Sequence, residues 1–174
     1  MTKTRGNTSW LDWIKAIFIA IIAVLLLRSF VLTTSIVEGD SMSPALEDGE
    51  KIVFNKLVYM LSEPKRGDIV IIQHSDKNYV KRIIGLPGET IEVFNHELYI
   101  NEEKYGNTFV DEYNEKLTAD FGPHHIPHDS YFVIGDNRAI SLDSRNGLGY
   151  IKKSEVIGKS EFIIYPLDEW QITR

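Results

Sequence analysis

Twelve consecutive apolar residues, Ala16 to Leu27, stand between Lys15 and Arg28. This run constrains the fold more than any other feature, because that much apolar surface must be covered by protein or by lipid. Taken alone it is short enough for a core helix. Its flanks extend it, with Trp10, Leu11, Trp13 and Ile14 on one side and Phe30, Val31 and Leu32 on the other. A helix from Trp10 to Arg28 would be roughly 28 Å long, which matches a hydrocarbon core. Lys15 and Arg28 can snorkel toward headgroups, and Trp10 and Trp13 suit an interfacial belt. A cleaved secretory leader fits the basic start at Lys3 and Arg5. It fits the end poorly: Arg28-Ser29-Phe30-Val31-Leu32 has no clean small-x-small site, and only Thr34 and Ser35 approximate one. The expectation is a cytoplasmic stretch over 1–9, an uncleaved single-pass anchor over 10–32, and an outer-face domain over 33–174. Lys3 and Arg5 ahead of the anchor set that orientation.

After the anchor the pattern alternates. "IVFNKLVY", "DIVIIQH", "YVKRIIG", the stretch from Thr90 to Asn101, "YFVIGDN" and "KSEFIIYP" are short and rich in β-branched and aromatic residues. Asn95-His96 reads as a hairpin turn and Leu86-Pro87-Gly88-Glu89 as a second turn. The segment 101–130 is the most polar and least strand-like, and is expected to be a surface excursion. The fold class is therefore mostly β: one N-terminal transmembrane helix followed by an antiparallel sheet system or partial barrel. The chain has no cysteine, which excludes disulfide scaffolds, thiolate metal sites and cysteine nucleophiles. A net charge of −6 argues against a general nucleic-acid binder.

Three stretches could carry chemistry. In "EGDSMSPAL", Ser41 follows Gly39, which lets the backbone approach a partner closely, and precedes Pro44, which restricts Ser43. The ordinary alternative is a turn serine bonding its own backbone. In "YVKRIIG", alternation puts Tyr79, Lys81 and Ile83 on one face and Val80, Arg82 and Ile84 on the other. One of the two cations is expected to face inward. Arginine keeps its charge, whereas a buried lysine can lose its proton and act as a general base toward a serine hydroxyl. The alternative is a surface lysine on an edge strand. In "GDNRAISLDSR", Ser141 could orient an amine, and Asp143 and Arg145 could brace the loop; a plain charged turn is the alternative. His74 and His96 lie on strands or hairpins. His124, His125 and His128 cluster, but Pro123 and Pro127 keep them off a regular helix, so a solvated loop is expected rather than a metal site.

"SMSPAL", "RGDIV" (Arg66 to Val70), "YVKRIIGLPGE" and "GDNRAISLDSR" follow one anchor in that order. Together they resemble the type I signal peptidases of the Gram-positive kind. Four motifs in sequence are specific where each alone is weak. The resemblance implies a Ser/Lys-dyad serine endopeptidase that removes signal peptides after small residues of the Ala-x-Ala type. By position, Ser41 matches the nucleophile, Lys81 the general base, and Ser141 a hydroxyl bonded to that lysine. Asp143 and Arg145 match supports of the loop. The Ser41 N–H would serve an oxyanion hole, and Gly39 stands where some relatives have a second serine. Val37, Gly39, Met42, Leu46, Tyr79 and Val80 are carried over as substrate contacts. Neither cofactor nor metal is implied. The implied partners are membrane-anchored preproteins and the phospholipid bilayer, with a protein-export translocon as a further candidate and no nucleic acid. Ala45 stands where Thr is common, Glu89 where Asp is common, and Ala139-Ile140 where a polar pair is common. Self-cleaving SOS-repressor domains, a non-cleaving paralogue and a Ser-His-Asp hydrolase are the alternatives. The anchor, the presence of both dyad residues, and the lack of a histidine in a supporting motif weigh against them in turn.

Overall fold

Alternating apolar residues with β-branched side chains favour extended pairing over helix, and that preference sets most of this architecture. The computed structural model describes residues 10–75, 77–106, 109–166 and 171–173. In chain order the elements are α1 (Trp10–Val31), β1 (Leu32–Ile36), β2 (Lys51–Asn55), α2 (Val58–Leu61), β3 (Ile69–His74), β4 (Lys77–Gly85), β5 (Thr90–Phe94) and β6 (Glu97–Ile100). There follow β7 (Glu103–Lys104), α3 (Glu112–Lys116), β8 (Phe121–His125), β9 (Ser130–Ile134), β10 (Ile151–Lys152), β11 (Val156–Tyr165) and β12 (Gln171–Ile172).

The strands form two antiparallel sheets. The larger runs β1-β2-β11-β3-β4-β9-β10, with β12 added to β11, and the smaller runs β7-β6-β5-β8. Long β11 pairs with β3 through its first residues and with β2 through its later ones, with register shifts along both ladders. Such bulges bend a strand and increase local twist. The β5–β6 turn has Asn95 and His96 both at positive φ, as a two-residue hairpin of this hand requires.

Leu32 begins β1 and pairs with Asn55 of β2. Two expectations changed on folding. The strand expected over "IVFNKLVY" stops at Asn55, whose Oδ1 accepts the Leu57 N–H at 3.0 Å, and Val58–Leu61 closes one helical turn. Polar "FGPHH" becomes β8 and pairs with β5, so the excursion contributes a strand to the smaller sheet.

Helix α1 carries apolar side chains on all sides, with Trp10, Trp13, Ile17, Phe18, Ile19 and Ile21 each more than half exposed. A helix that is apolar all round needs a cover of protein or lipid. Its described side chains end at Leu25. Among the described residues, no helix is long and apolar enough to cross a membrane. Lys3 and Arg5 lie outside the described residues.

The core has three clusters. Val37, Met42, Leu46, Ile52, Phe54, Ile69, Ile71 and Ile163 form one between β2, β3 and the β1–β2 connection. A second joins Ile84 and Phe132 of the larger sheet to the smaller sheet. A third packs Val70, Ile72, Ile83, Tyr131 and Val133. All five residues of β9 are buried, which explains why it reads as a continuous apolar run.

Candidate active site

The β1–β2 connection is held at both ends before it presents Ser41. Val37 N–H donates to the Glu50 carbonyl at 2.8 Å and Gly49 N–H to the Val37 carbonyl at 3.0 Å. Gly39, at φ +80°, donates its N–H to Asp48 Oδ1 at 2.6 Å. That φ favours glycine, so the residue is a hinge of the turn. Met42 and Leu46 are sealed in the first cluster. Burying each stabilises the loop by about 2 kcal/mol. Leu46 N–H also donates to the Met42 carbonyl at 3.0 Å. The turn is thus anchored on both sides of Ser41, and Ala45 packs against the same cluster.

Strand β4 brings Lys81 to this loop. Its Nζ lies 2.6 Å from Ser41 Oγ, across 40 positions of sequence. Lys81 is 3% exposed, and its ammonium bonds to no carboxylate among the described residues. Burial lowers its pKa from 10.5 to about 8. Asp143 and Asp136 pull the other way, and Arg145 adds slightly to the lowering. At that pKa a large share of the amine is neutral in mildly alkaline water. A neutral amine can accept the Ser41 proton.

Arg82, next along β4, is equally buried and behaves differently. Its Nε donates to Asp136 Oδ1 at 2.8 Å, its Nη2 to Oδ2 at 2.5 Å, and its Nη1 to the Gly67 carbonyl at 2.8 Å. Both cations are therefore inside, where only one was expected. No local pattern signals the pairing, because Arg82 and Asp136 are 54 residues apart.

The loop after β9 covers the dyad. Asp143 takes Nε and Nη2 of Arg145 at 2.9 and 2.8 Å and the Gly135 N–H at 3.0 Å. Burial pushes the Asp143 carboxyl up, but the Arg145 guanidinium more than offsets this and its pKa falls below the usual range. Arg145 Nη2 also donates to the Arg138 carbonyl at 3.0 Å. Asn146 Nδ2 donates to the Ser141 carbonyl at 2.9 Å, a clamp one residue past the quoted motif. Asn137 N–H donates to the Ser41 carbonyl at 3.2 Å, which ties this loop directly to the nucleophile turn.

Ser141 corrects an expectation. Its hydroxyl is buried and contributes to lowering the Asp143 pKa, yet among the described residues it meets hydrogen-bond geometry with no neighbour. The expected bond to Lys81 is not made. Gly135 accounts for how closely Ser141 packs: a Cβ there would strike Ser141 Oγ and the Ser41 carbonyl. Gly135 is a site residue that sequence reasoning had only as part of a motif.

A cleft of about 440 Å³ opens over the dyad. Val37, Met42, Tyr79 and Val80 line it with Ser41 and Lys81. Gly39 and Leu46 do not line it. Gly39 is turned to Asp48, and Leu46 is fully buried beneath the loop. Ser35, Ile36 and Asn78 line it unforeseen, because β1 and the start of β4 form its walls. Glu89 meets Arg66 through both carboxylate oxygens, at 2.6 and 3.0 Å, so the longer side chain is used in full. Ile140 is exposed. Among the described residues, no group of histidine and carboxylate side chains could hold a metal.

The family described as signal peptidase, peptidase S26, matches residues 10–165 of the chain. Signal peptidase I of Bacillus amyloliquefaciens is 44% identical over 179 residues, covering 99% of this chain and 97% of its own. Signal peptidase I of Bacillus licheniformis is 47% identical, covering 96% and 95%. Signal peptidase I S of Bacillus subtilis (strain 168) is 44% identical, covering 95% and 94%.

Proposed function

Since the chain belongs to the signal peptidase family, peptidase S26, we propose that it is a membrane-anchored serine endopeptidase that removes N-terminal signal peptides from exported preproteins after small residues of the Ala-x-Ala type. The observation that carries the mechanism is the 2.6 Å contact between Lys81 Nζ and Ser41 Oγ in a buried setting. With Lys81 protonated, the amine donates to the hydroxyl. Once neutral, it accepts the hydroxyl proton as Ser41 Oγ attacks the scissile carbonyl. The tetrahedral oxyanion is met by the Ser41 N–H. The protonated lysine then gives its proton to the leaving amine, and the signal peptide departs from an acyl-enzyme on Ser41. A water deprotonated by the same lysine releases the mature protein.

Anchor and substrate fit together geometrically. α1 crosses the bilayer with its start in the cytoplasm, and everything from β1 onward lies on the outer face. β1 rises roughly 17 Å from the end of α1 before the Ser41 turn begins. A substrate whose own apolar segment stays in the bilayer reaches the cleft with about five extended residues. Confinement to one membrane raises its effective concentration, which offsets a shallow cleft. The cleft walls of Val37, Met42 and Val80 suit small side chains beside the scissile bond.

The test is cleavage of a preprotein bearing an Ala-x-Ala site by purified full-length protein in detergent with phospholipid, beside Ser41→Ala. Cleavage at that site by the wild type alone is expected. Equal cleavage by both proteins would remove Ser41 as nucleophile, and cleavage by neither would remove the peptidase reading.

A further inference from the structure

Asn146 stands one residue beyond the last of the four motifs and is exposed. An exposed polar side chain on a turn is ordinarily replaced at little cost. This one points back into its own loop and uses both ends of its amide. Nδ2 donates to the Ser141 carbonyl at 2.9 Å, and Oδ1 accepts the Asp143 N–H at 2.8 Å. The Asn146 N–H donates to the Asp143 carbonyl at 3.2 Å, an oxygen that also accepts the Leu148 N–H at 3.0 Å. One side chain thus holds Ser141 and Asp143, with Leu142 between them.

The contacts continue to the nucleophile. Ser141 N–H donates to the Asn137 carbonyl at 3.1 Å, and Asn137 N–H donates to the Ser41 carbonyl at 3.2 Å. A run of hydrogen bonds therefore joins the Ser41 peptide, through Asn137 and Ser141, to the Asn146 amide and on to Asp143. At that end the Asp143 carboxylate takes the Gly135 N–H and the Arg145 guanidinium. The charged groups that act on Lys81 are Asp143, Asp136 and Arg145, all three in this loop. Arg145 ties Asp143 to the Arg138 carbonyl, while Asn146 sets the span from position 141 to position 143.

We propose that Asn146 is a positioning residue for the Ser41–Lys81 reaction: its amide sets the turn that holds Ser141 and Asp143 over the dyad. This role rests on the peptidase reading above. Asn146 is not among the residues that line the cleft, so it acts through the loop and not on the substrate. Without the amide the 141–143 turn loosens and water gains access to Lys81. The amine and the hydroxyl are then held less well, and the chemical step slows. Binding in the cleft is left as it was.

The test follows preprotein cleavage against pH by full-length wild type, Asn146→Ala, Asn146→Gln and Asn146→Asp in detergent with phospholipid, beside denaturant unfolding of each. Asn146→Ala should lower kcat about tenfold or more with KM nearly unchanged. Its rise of kcat with pH should move to higher pH. Burial is the largest influence on the Lys81 pKa and outweighs the opposing pull of Asp143 and Asp136, so admitting water raises that pKa. The unfolding midpoint should shift little, because the side chain is exposed. Asn146→Gln, with the same amide on a longer stem, should recover part of the loss. Asn146→Asp keeps the acceptor for Asp143 and loses the donor to Ser141, and should not recover it. Wild-type kcat and pH profile in Asn146→Ala would overturn the role, as would full activity in Asn146→Asp. A lower unfolding midpoint with kcat per folded molecule and pH profile unchanged would make the clamp purely structural and overturn it equally. No cleavage by the wild type would overturn the peptidase reading, and this role with it.

Discussion

Consecutive residues on β4 treat a buried positive charge in opposite ways. On one side, Arg82 is 0% exposed and fully met, by both oxygens of Asp136 and by the Gly67 carbonyl. On the other, Lys81 is 3% exposed and, among the described residues, its ammonium meets only the Ser41 hydroxyl. Burying a charge is costly unless a carboxylate is paired with it. The arginine, so paired, fastens β4 to the loop after β9. The lysine is left poised to lose its proton. Structural and chemical use of a buried cation thus differ here by the placement of one carboxylate.

The sharpest way to break this contrast is to make Lys81 resemble its neighbour. Lys81→Arg keeps charge and length but cannot supply a neutral base. Preprotein cleavage should fall by about 10³-fold or more, the scale of a lost general base. Activity near the wild-type level in that variant would show that Lys81 acts through its charge alone.

The next largest effect is on stability. Asp136→Asn leaves the Arg82 guanidinium buried without its carboxylate, which should cost about 3–4 kcal/mol in denaturant unfolding of the detergent-solubilised protein. Arg82→Met combined with Asp136→Leu should recover much of that loss, because a buried pair can be replaced by packing. An Asp136→Asn protein as stable as the wild type would mean that the pair contributes nothing and the two faces are alike.

A smaller effect sharpens the picture from the lysine side. The folded-state pKa of about 8 lies below the ordinary 10.5, so folding disfavours the bound proton. That penalty is complete below pH 8 and disappears as pH rises to 10.5, which makes the wild type more stable across that interval. Lys81→Met should therefore gain about 3 kcal/mol at pH 7 and nearly nothing at pH 10.5, while losing activity. Wild-type cleavage should rise with pH through about 8 for the same reason: the neutral amine is the working form. Thermal unfolding across this range, beside the cleavage profile, checks both, and a pH-independent difference between Lys81→Met and wild type would contradict the linkage.

Alternation, turn residues and residue types determined much of this protein without a structure. They located most strands of the larger sheet, the Asn95-His96 hairpin, and the three stretches bearing Ser41, Lys81 and the Asp143 loop. These are local properties: period two reports which side chains share a face, and Gly, Pro and Asn mark where a chain turns. Tertiary structure decided what each face meets. It brought Lys81 to Ser41 over 40 residues and Asp136 to Arg82 over 54. It sank Leu46 beneath the loop instead of leaving it in the cleft, buried the Ser141 hydroxyl with no partner in hydrogen-bond geometry among the described residues, and drew "FGPHH" into a sheet despite its polarity. The charge state of Lys81 belongs to the same class, because a pKa depends on the atoms packed around the amine, and those come from segments far away along the chain.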